Sequence, residues 1–324
     1  MYLNHRSDDL AETTLHAYES RLSFFTAWCD DRGVDDMNDL TGRLLYKFRI
    51  DRRDDGDLSK TSLKTQLTCI RSFIKFCESI EAVPEGLHRD VILPSLKHGD
   101  DVREVAVSID EAEQIRSYLR TYEYATLRHV LFEVLWSTGI RTGTAHSLDV
   151  DDVLQDENAL RIRHRSDTDT RLKNGTRAER LVALDPTVVD IIADYIQTNR
   201  PETTDDYGRN PLFASEQGRM HKSNLRKLTY AITRPCYYAG ECPHSRDTDD
   251  CEAVAYSDAH GCPSSKSLHA IRRGSITKHL IDDVPKTVVS DRANVSPDVL
   301  DKHYDVRDEK TRMEQRRDVL FGDE

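Results

Sequence analysis

Residues 137–143 read Ser-Thr-Gly-Ile-Arg-Thr-Gly. They close an apolar stretch, residues 128–137, that predicts a buried helix. The sequence therefore places one arginine, Arg141, just beyond the end of a helix in the protein core. An arginine held there is suited to bind a phosphate group, because its planar guanidinium donates two parallel hydrogen bonds.

Three later segments carry side chains of complementary chemistry, and they come in a fixed order. Lys173 lies in a turn between two segments with strand character. Residues 269–272, His-Ala-Ile-Arg, lie in a predicted helix, and Tyr304 follows near the end of the sequence. Each of these residues alone has an ordinary explanation, such as a solvated helix face, a turn lysine or a packed tyrosine. Their joint occurrence in this order is what points to a functional site.

Together the segments supply what a site needs to break a phosphodiester bond without a metal ion. Two arginines, Arg141 and Arg272, can neutralise the two non-bridging oxygens of a pentavalent phosphorane. Tyr304 can attack as a phenol and form a covalent phosphoester. Lys173 can protonate the departing sugar oxygen as a general acid.

This set resembles the catalytic residues of the tyrosine recombinases, also called the phage-integrase family. In that family the first arginine follows a threonine-glycine pair at the end of an apolar helix. It precedes a leucine and an acidic pair, as Arg141 precedes residues 147–153, Ser-Leu-Asp-Val-Asp-Asp-Val. The family's lysine lies in a turn between two strands, like Lys173. Its HxxR motif matches residues 269–272, and residues 295–304 fit its tyrosine segment.

The resemblance covers the C-terminal two thirds of the chain through motifs and the N-terminal third only through helical character. It implies that Tyr304 attacks a phosphate held by Arg141 and Arg272, which gives a 3′-phosphotyrosyl link and a free 5′-hydroxyl. Lys173 then protonates the leaving oxygen, and His269 acts as a general base or positions the phosphate. Religation to another strand completes site-specific recombination. The resemblance implies no cofactor for catalysis.

The partner that the resemblance implies is double-stranded DNA, bound by a homotetramer on paired sites. One position departs from the family, which usually has a histidine or tryptophan shortly before the tyrosine. Asn294 aligns best with that position, and Arg292 is a near alternative. An asparagine can still donate a hydrogen bond to a phosphate oxygen. The departure leaves open a catalytically weak or inactive DNA-binding protein of the same fold.

The pattern of apolar residues predicts a mainly helical N-terminal region. Residues 9–95 show helical spacing without a strand signal, and the second of the predicted helices spans residues 37–53. A charged, glycine-containing segment, residues 96–107, predicts an interdomain linker. With the resemblance, this implies a helical, SAM-like core-binding domain at residues 1–100 and a catalytic integrase domain at residues 105–324.

The C-terminal region mixes helices with a few strands. Residues 160–163 and 181–184 predict an antiparallel strand pair around Lys173. Helical spacing recurs at residues 222–233 and 267–281. The fold class expected is therefore mainly α with a small antiparallel β-sheet in the catalytic domain. Arg273, next to the second arginine, is expected to be a surface residue or to contact the DNA backbone.

Seven cysteines are unevenly distributed along the sequence. Cys29, Cys69 and Cys77 lie within predicted helices and are expected to be small buried residues. The other four fall in a polar insert, residues 235–264, which has almost no apolar residue to bury. They are Cys236, Cys242, Cys251 and Cys262, with His244 and His260 as alternates.

Clustered cysteines in a cytosolic protein are more often metal ligands than disulfides. A tetrahedral zinc ion bound by four thiolates, or by three and a histidine, would supply the stability that the insert cannot obtain from a core. The spacing differs from the paired CxxC motifs of zinc ribbons. Unpaired or redox-active thiols therefore remain an alternative. A zinc module that binds RNA or protein would require the order of the catalytic segments to be accidental.

The chain of 324 residues carries 46 basic and 58 acidic side chains, a formal net charge of −12. This balance taken alone argues against nucleic acid as a partner. Acidic pairs recur along the whole chain and lysine is scarce, a composition suited to molar salt, where self-repulsion is screened. We therefore expect a halophilic archaeal host, with an ordinary acidic protein as the alternative. No stretch of 18 apolar residues and no secretory signal occurs, which predicts a cytoplasmic protein without membrane association.

Overall fold

The computed structural model describes residues 1–54, 56, 58–97, 100, 105–305, 307 and 309–321. The chain divides into two compact units, Met1–Val102 and Arg103–Glu324, called the N-terminal and C-terminal units below. Within the predicted linker, residues 98, 99 and 101–104 lie outside the described residues. No helix in the described part of the chain is both long enough and apolar enough to cross a membrane.

The N-terminal unit is helical, as predicted. Its core includes Phe25, Phe48 and Ile70, and the rings of Phe25 and Phe48 meet edge to face with centroids 5.1 Å apart. Such edge-to-face contacts add to the stabilisation that comes from burying the rings. The predicted burial of Cys29, Cys69 and Cys77 is confirmed. The helices are α1 (Tyr2–Arg6), α2 (Glu12–Asp31), α3 (Gly42–Asp54) and α4 (Lys60–Ser79).

The prediction of one helix over residues 37–53 was wrong at its start. Residues Met37–Asp39 form a 3-10 turn, and the side chain of Asp36 caps it by accepting a hydrogen bond of 2.9 Å from the backbone N–H of Asn38. The α-helix begins only at Gly42. An aspartate cap offers the backbone an alternative to continued helix, which the spacing of apolar residues does not reveal.

The C-terminal unit combines ten helices and five short strands within its described residues. Its helices are α5 (Ile109–Tyr122), α6 (Leu127–Thr138), α7 (Thr142–Ser147), α8 (Pro186–Thr198), α9 (Lys222–Ile232), α10 (Pro235–Tyr238), α11 (Leu268–Ile281), α12 (Lys286–Ala293), α13 (Pro297–His303) and α14 (Glu309–Phe321). Its strands are β1 (Val153–Leu154), β2 (Ala159–Ile162), β3 (Arg180–Ala183), β4 (Ala214–Ser215) and β5 (Gly218–Arg219).

Helix α6 is the centre of the C-terminal core, and seven consecutive residues, Val130–Trp136, are buried. The hydroxyl of Thr126 caps its start by accepting a hydrogen bond from the backbone N–H of His129. The helix ends at Gly139, whose φ of 60° lies in the left-handed region that glycine adopts without strain. This stop directs the chain out of the core toward Arg141.

The predicted strand pair is confirmed, and a third strand extends it. The sheet has the order β1-β2-β3 and is antiparallel throughout. Leu160 pairs with Val182 across the centre of the β2–β3 ladder. The connection between these two strands carries Lys173. A separate two-stranded hairpin joins β4 and β5.

Helix α11 crosses α6 at a glycine. A Cβ atom built at Gly274 would lie 2.1 Å from the carbonyl oxygen of Val107 and 2.8 Å from the ring of Trp136. The backbone N–H of Val107 also donates a hydrogen bond of 3.1 Å to the carbonyl of Ala270 on α11. The close approach therefore requires glycine, and it fixes the position of the helix that carries residues 269–272.

Candidate active site

Arg272 lies on α11 and is almost fully buried, with 2% of it exposed. Its Nη1 donates a hydrogen bond to the carbonyl of Gly139, and its Nε donates one of 3.4 Å to the hydroxyl of Tyr304. Its Nη2 is buried and has no hydrogen-bond partner among the described residues. A buried hydrogen-bond donor without an acceptor destabilises the fold. The Nη2 group of Arg272 therefore needs an acceptor that the described residues do not supply.

Arg141 follows the end of α6 in extended conformation and caps α7. Burial lowers the pKa of its guanidinium, and the neighbouring charge of Arg272 lowers it further. Within the described residues, no carboxylate forms an ion pair with either arginine. Two like charges held close together without a counter-ion destabilise each other's charged form. An anion bound between them would stabilise both charged forms.

The motif that follows Arg141 holds its segment in place. Asp152 accepts two hydrogen bonds from Arg165, at 2.8 and 2.9 Å, and Arg165 also donates one of 3.1 Å to the carbonyl of Ser147 at the end of α7. Asp149 accepts a hydrogen bond from Arg219, whose Nη1 donates one to the carbonyl of Leu148. Asp149 and Asp152 of the quoted motif thus fix the backbone just after α7.

Arg141 and Arg272 open onto one cavity of about 310 Å³. Five of the six residues predicted to be catalytic line this cavity, and the sixth, Tyr304, contacts Arg272 beside it. The five come from four separate segments of the chain: Arg141, Lys173, His269, Arg272 and Asn294.

Lys173 is exposed on the loop that joins β2 to β3. The neighbouring Leu172 is buried and its backbone N–H donates a hydrogen bond of 3.1 Å to Nδ1 of His164. A second anchor joins the backbone N–H of His164 to the carboxylate of Glu179 at 2.9 Å. The loop is therefore held at its base while the lysine side chain remains exposed at the cavity.

Tyr304 ends α13 and is buried, with 5% of it exposed. Its backbone N–H donates to the carbonyl of Leu300, and its own carbonyl accepts a hydrogen bond of 3.0 Å from the hydroxyl of Thr277 on α11. The ring centroids of Tyr304 and His269 are 6.3 Å apart. Helix α11 therefore holds the tyrosine and carries two of its expected partners, His269 and Arg272, on one face.

Asn294 ends α12 with a φ of 48°, in the left-handed conformation that asparagine tolerates better than most residues. Its side-chain oxygen accepts a hydrogen bond of 3.2 Å from the side-chain amide of Asn174, next to Lys173. Asn294 therefore joins the lysine loop to α12 at the edge of the cavity.

Arg180 lies close to the arginines of the cavity and was missed in the sequence, whereas Arg292 was considered only as an alternative to Asn294. Arg180 donates hydrogen bonds to the carbonyls of Arg292, at 2.9 Å, and Ala178, at 2.8 Å. Burial lowers its pKa to about 10, and the charges of Arg272, Arg141 and Arg292 add to that effect. The signal available in the sequence was strand alternation, which places Arg180 on the same face of β3 as the buried Val182.

Arg292 donates a hydrogen bond of 2.7 Å to the carbonyl of Ser137, and its buried Nε has no partner among the described residues. The expectation for Arg273 was wrong. It is buried, with 4% exposed, and donates a hydrogen bond of 2.9 Å to the carbonyl of His303. Its position on the inner face of α11 makes it part of the support of the Tyr304 segment.

The cysteines of the insert converge on a second, much smaller cavity of about 10 Å³. Cys236, Cys242, Cys251 and Cys262 all line it, together with His244. The other alternate, His260, lies against the ring of Tyr230. In their present positions, the described His, Cys, Asp and Glu side chains form no group of three or more that could hold a metal ion.

The chain is similar to one known protein family and to several known proteins. The sequence model of the family "Phage integrase, N-terminal SAM-like domain" matches residues 2–79. The tyrosine recombinase XerD of Corynebacterium glutamicum is 29% identical over 182 residues, which are 53% of this chain and 59% of that protein. The XerD of Listeria monocytogenes is 23% identical over 229 residues, 69% of this chain and 72% of that protein. The chain thus spans less than two thirds of the first of these relatives.

Solved structures share the fold over nearly the whole chain. The Tn1549 transposon integrase in complex with transposon right end DNA superposes with a TM-score of 0.69 and 13% identity, covering 98% of this chain and 96% of that one. A lambda integrase dimer bound to a COC′ core site gives a TM-score of 0.60 and 13% identity, covering 97% and 75%. The predicted fold class is confirmed. The chain is therefore similar in sequence to XerD tyrosine recombinases and shares the fold of the two integrases.

Proposed function

We propose that this protein is a tyrosine-type site-specific recombinase that cleaves and rejoins double-stranded DNA through a 3′-phosphotyrosyl intermediate. One observation carries the proposal. Arg272 is buried with an unpartnered N–H group and shares a cavity with Arg141, while no described carboxylate neutralises either charge. A phosphate group in the cavity would provide both the missing acceptor and the missing negative charge.

In the proposed reaction, the phenol oxygen of Tyr304 forms a bond to phosphorus as the bond to the 5′ oxygen of the next nucleotide breaks. Arg141 and Arg272 neutralise the charge that develops on the two non-bridging oxygens. Lys173 gives its proton to the departing 5′ oxygen. His269 accepts the phenol proton or positions the phosphate. Attack of a 5′-hydroxyl from another strand on the phosphotyrosine reverses these steps and regenerates the tyrosine.

The nucleophile must approach the cavity for this reaction to occur. Tyr304 is buried and its hydroxyl accepts a hydrogen bond from Arg272. The tyrosine is the last residue held by α13, so a small displacement after Leu300 would change the direction of the ring. We infer that DNA binding brings the phenol oxygen into line with the phosphorus.

The partners are proposed from the relatives. The Tn1549 and lambda integrase structures are complexes with DNA, and the shared fold favours duplex DNA as the partner here. We propose a homotetramer on paired sites, as the family resemblance implies. No small-molecule cofactor takes part in the proposed chemistry.

We also propose that the protein works in the cytoplasm of a halophilic archaeon. The support is the net charge of −12, with acidic pairs that recur along the sequence. Molar KCl would screen their mutual repulsion. We expect the thermal midpoint of the purified protein to rise as KCl increases from about 0.15 M to the molar range, as followed by circular dichroism. A midpoint that falls over this range would contradict a halophilic origin.

The decisive test of cleavage is covalent capture. Nicked duplexes tiled across the DNA that flanks its gene are incubated with the full chain, and covalent complexes are resolved on denaturing gels. We expect the wild-type protein to be captured and Tyr304→Phe to bind the same duplexes without capture. Tyr122→Phe, at an exposed tyrosine in α5, is the matched control and should be captured normally.

The outcomes separate the alternatives. Capture of Tyr304→Phe would show that another residue is the nucleophile. Duplex binding without capture of the wild-type protein would favour the catalytically weak or inactive DNA-binding protein. Peptide mapping of the captured species identifies the attached residue independently of either variant.

A further inference from the structure

The cysteine-rich insert, residues 235–264, folds with almost no hydrophobic core. Apart from the four-residue helix α10, its regular structure consists of the 3-10 turns Glu252–Val254 and Ala259–Gly261. Tyr237 and Tyr238 of α10 are half-buried against the C-terminal core, but beyond α10 the only buried apolar side chains among the described residues of the insert are those of two alanines, Ala253 and Ala259. Two alanines bury too little apolar surface to offset the entropy of ordering the segment that follows α10. Another source of stability is therefore required.

The four cysteines of the insert meet although they are far apart in the sequence. They line one cavity of about 10 Å³, close to the volume of a single small sphere such as a water molecule. All four are free thiols and half-buried. Their convergence is not explained by packing as small apolar side chains. The cysteines that pack in this way, Cys29, Cys69 and Cys77, are fully buried, whereas these four are only half-buried.

The surroundings of this cavity are positively charged. Arg234 and Arg246 line it, and no carboxylate among the described residues does. Arg234 is itself buried, with 6% exposed, and is held by hydrogen bonds from its guanidinium to the carbonyls of Ala231 and Ala253. Four neutral thiols give a buried arginine no counter-charge. Four thiolates around one divalent ion carry net negative charge, which two arginines would balance.

We propose that Cys236, Cys242, Cys251 and Cys262 bind one structural zinc ion. Each thiol loses its proton on binding, and the four sulfur atoms complete a tetrahedral site without an open position for substrate. Because the described side chains in their present positions form no group that could hold a metal ion, the four sulfur atoms must move closer together when the ion binds. Of the two alternates, only His244 lines the cavity, and its Nε2 lies 2.9 Å from the hydroxyl of Ser264.

The zinc ion would fix the start of the helix that carries the HxxR motif. The hydroxyl of Thr233, before the insert, accepts a hydrogen bond of 2.7 Å from the backbone N–H of Lys266 and donates one of 3.1 Å to its carbonyl. Helix α11 begins directly afterwards, at Leu268. The insert is also held to α9 by a hydrogen bond of 3.0 Å from the hydroxyl of Tyr256 to the carbonyl of Asn224. Metal loss would therefore loosen the approach to His269.

Metal analysis of the full-length protein, purified without chelator, tests the proposal independently of DNA cleavage. We expect about one equivalent of zinc per chain, released when a mercurial reagent titrates the thiols and detected with a chromogenic chelator. Protein reconstituted with Co²⁺ should show the thiolate-to-cobalt charge-transfer band and the strong visible bands of a tetrahedral site. Less than about half an equivalent of zinc together with no such cobalt spectrum would overturn the proposal.

Two variants assign the ligands. Cys251→Ser should lose the bound zinc, whereas Cys69→Ser, at a buried cysteine of the N-terminal unit, should retain about one equivalent. Equal retention in both variants would overturn the ligand assignment. Because Cys251→Ser can fail to fold, mass spectrometry of the alkylated wild-type protein serves as the second measurement. A disulfide among the four cysteines would contradict the zinc site, and four thiols protected until a chelator is added would support it.

Discussion

The C-terminal unit contains two groups of closely spaced arginines that differ in their counter-ions. In the first group, which we call the paired group, every arginine has a carboxylate partner. It comprises Arg165, Arg209 and Arg219 with Asp149, Asp152 and Asp205. In the second, the unpaired group, none of the arginines forms an ion pair with a described carboxylate. It comprises Arg141, Arg180, Arg272 and Arg292.

The difference in counter-ions distinguishes arginines that stabilise the fold from arginines that are suited to bind a ligand. A buried charge is tolerated when its partner is present, and removal of one partner leaves the other uncompensated. The paired group is complete in the protein alone, and it holds the backbone after α7. The unpaired group is incomplete, with buried N–H groups of Arg272 and Arg292 that lack an acceptor. An arginine group of the second kind is suited to a ligand that brings its own negative charge.

The largest effect is expected from removal of an arginine in the paired group. Arg219→Ala removes a guanidinium that donates to both Asp149 and Asp205, so that these buried carboxylates retain only Arg165 and Arg209 as partners. We expect the free energy of unfolding of the C-terminal unit to fall by about 3–5 kcal/mol, as measured by urea denaturation. An unfolding midpoint equal to that of the wild type would show that the pairing is not a source of stability.

The same variant has a pH signature. Burial raises the pKa of Asp205, but hydrogen bonds from the backbone N–H of Arg209 and the guanidinium of Arg219 outweigh it and hold the pKa below its usual value. A carboxyl whose pKa is depressed by folding stabilises the protein above its unfolded pKa of about 3.9. That contribution is lost as the pH falls through the folded pKa. We expect wild-type stability to fall below about pH 4, and Arg219→Ala to show a shallower fall.

Removal of an arginine in the unpaired group should change rate and leave stability almost intact. Arg272→Lys keeps a charge but loses the fork that can hold two phosphate oxygens. We expect covalent capture to slow by about 10²–10³-fold. The unfolding free energy should change by about 1–2 kcal/mol, since the hydrogen bonds to the carbonyl of Gly139 and the hydroxyl of Tyr304 are altered. Arg120→Lys, in α5, is the matched control. If Arg272→Lys lost stability but kept the wild-type capture rate, Arg272 would have a structural role like that of the arginines in the paired group.

Arg180→Gln should have a smaller effect, because Arg180 acts through other residues. It ties the end of the lysine loop to the last turn of α12 through Ala178 and Arg292. We expect about 10-fold slower capture with unchanged duplex binding, and partial recovery in Arg180→Lys, which restores the charge. Single-turnover rates measure capture, and the fraction of duplex bound measures binding, so the two measurements together distinguish a slower reaction from weaker binding. A wild-type rate in Arg180→Gln would remove this residue from the site.

Local patterns of the sequence were sufficient for much of the fold. The apolar run before Gly139, the strand pair around Lys173 and the helix that carries residues 269–272 each depend on neighbours a few positions apart. The spacing of His269 and Arg272 places both on one helix face without knowledge of the rest of the chain. These elements include most of the residues that line the cavity.

Long-range pairing was not available from the sequence. Arg219 meets Asp149 across 70 positions, and no local pattern distinguishes it from an arginine on the surface. The same holds for Arg273, whose partner is the carbonyl of His303. Which arginines receive a carboxylate is decided only when distant segments pack together. The catalytic roles, the zinc ligands and the assembly on DNA remain predictions.

Gly139 has a consequence that reaches beyond the turn it makes. The peptide that ends the buried helix α6 also presents the carbonyl that accepts a hydrogen bond from Arg272. A side chain at this position would force a strained φ and place a Cβ 3.2 Å from the hydroxyl of Ser275. One peptide group thus both ends the buried helix and holds Arg272 in position. Substitutions at Gly139 should therefore lower rate and stability in proportion, whereas those at Arg272 should separate the two.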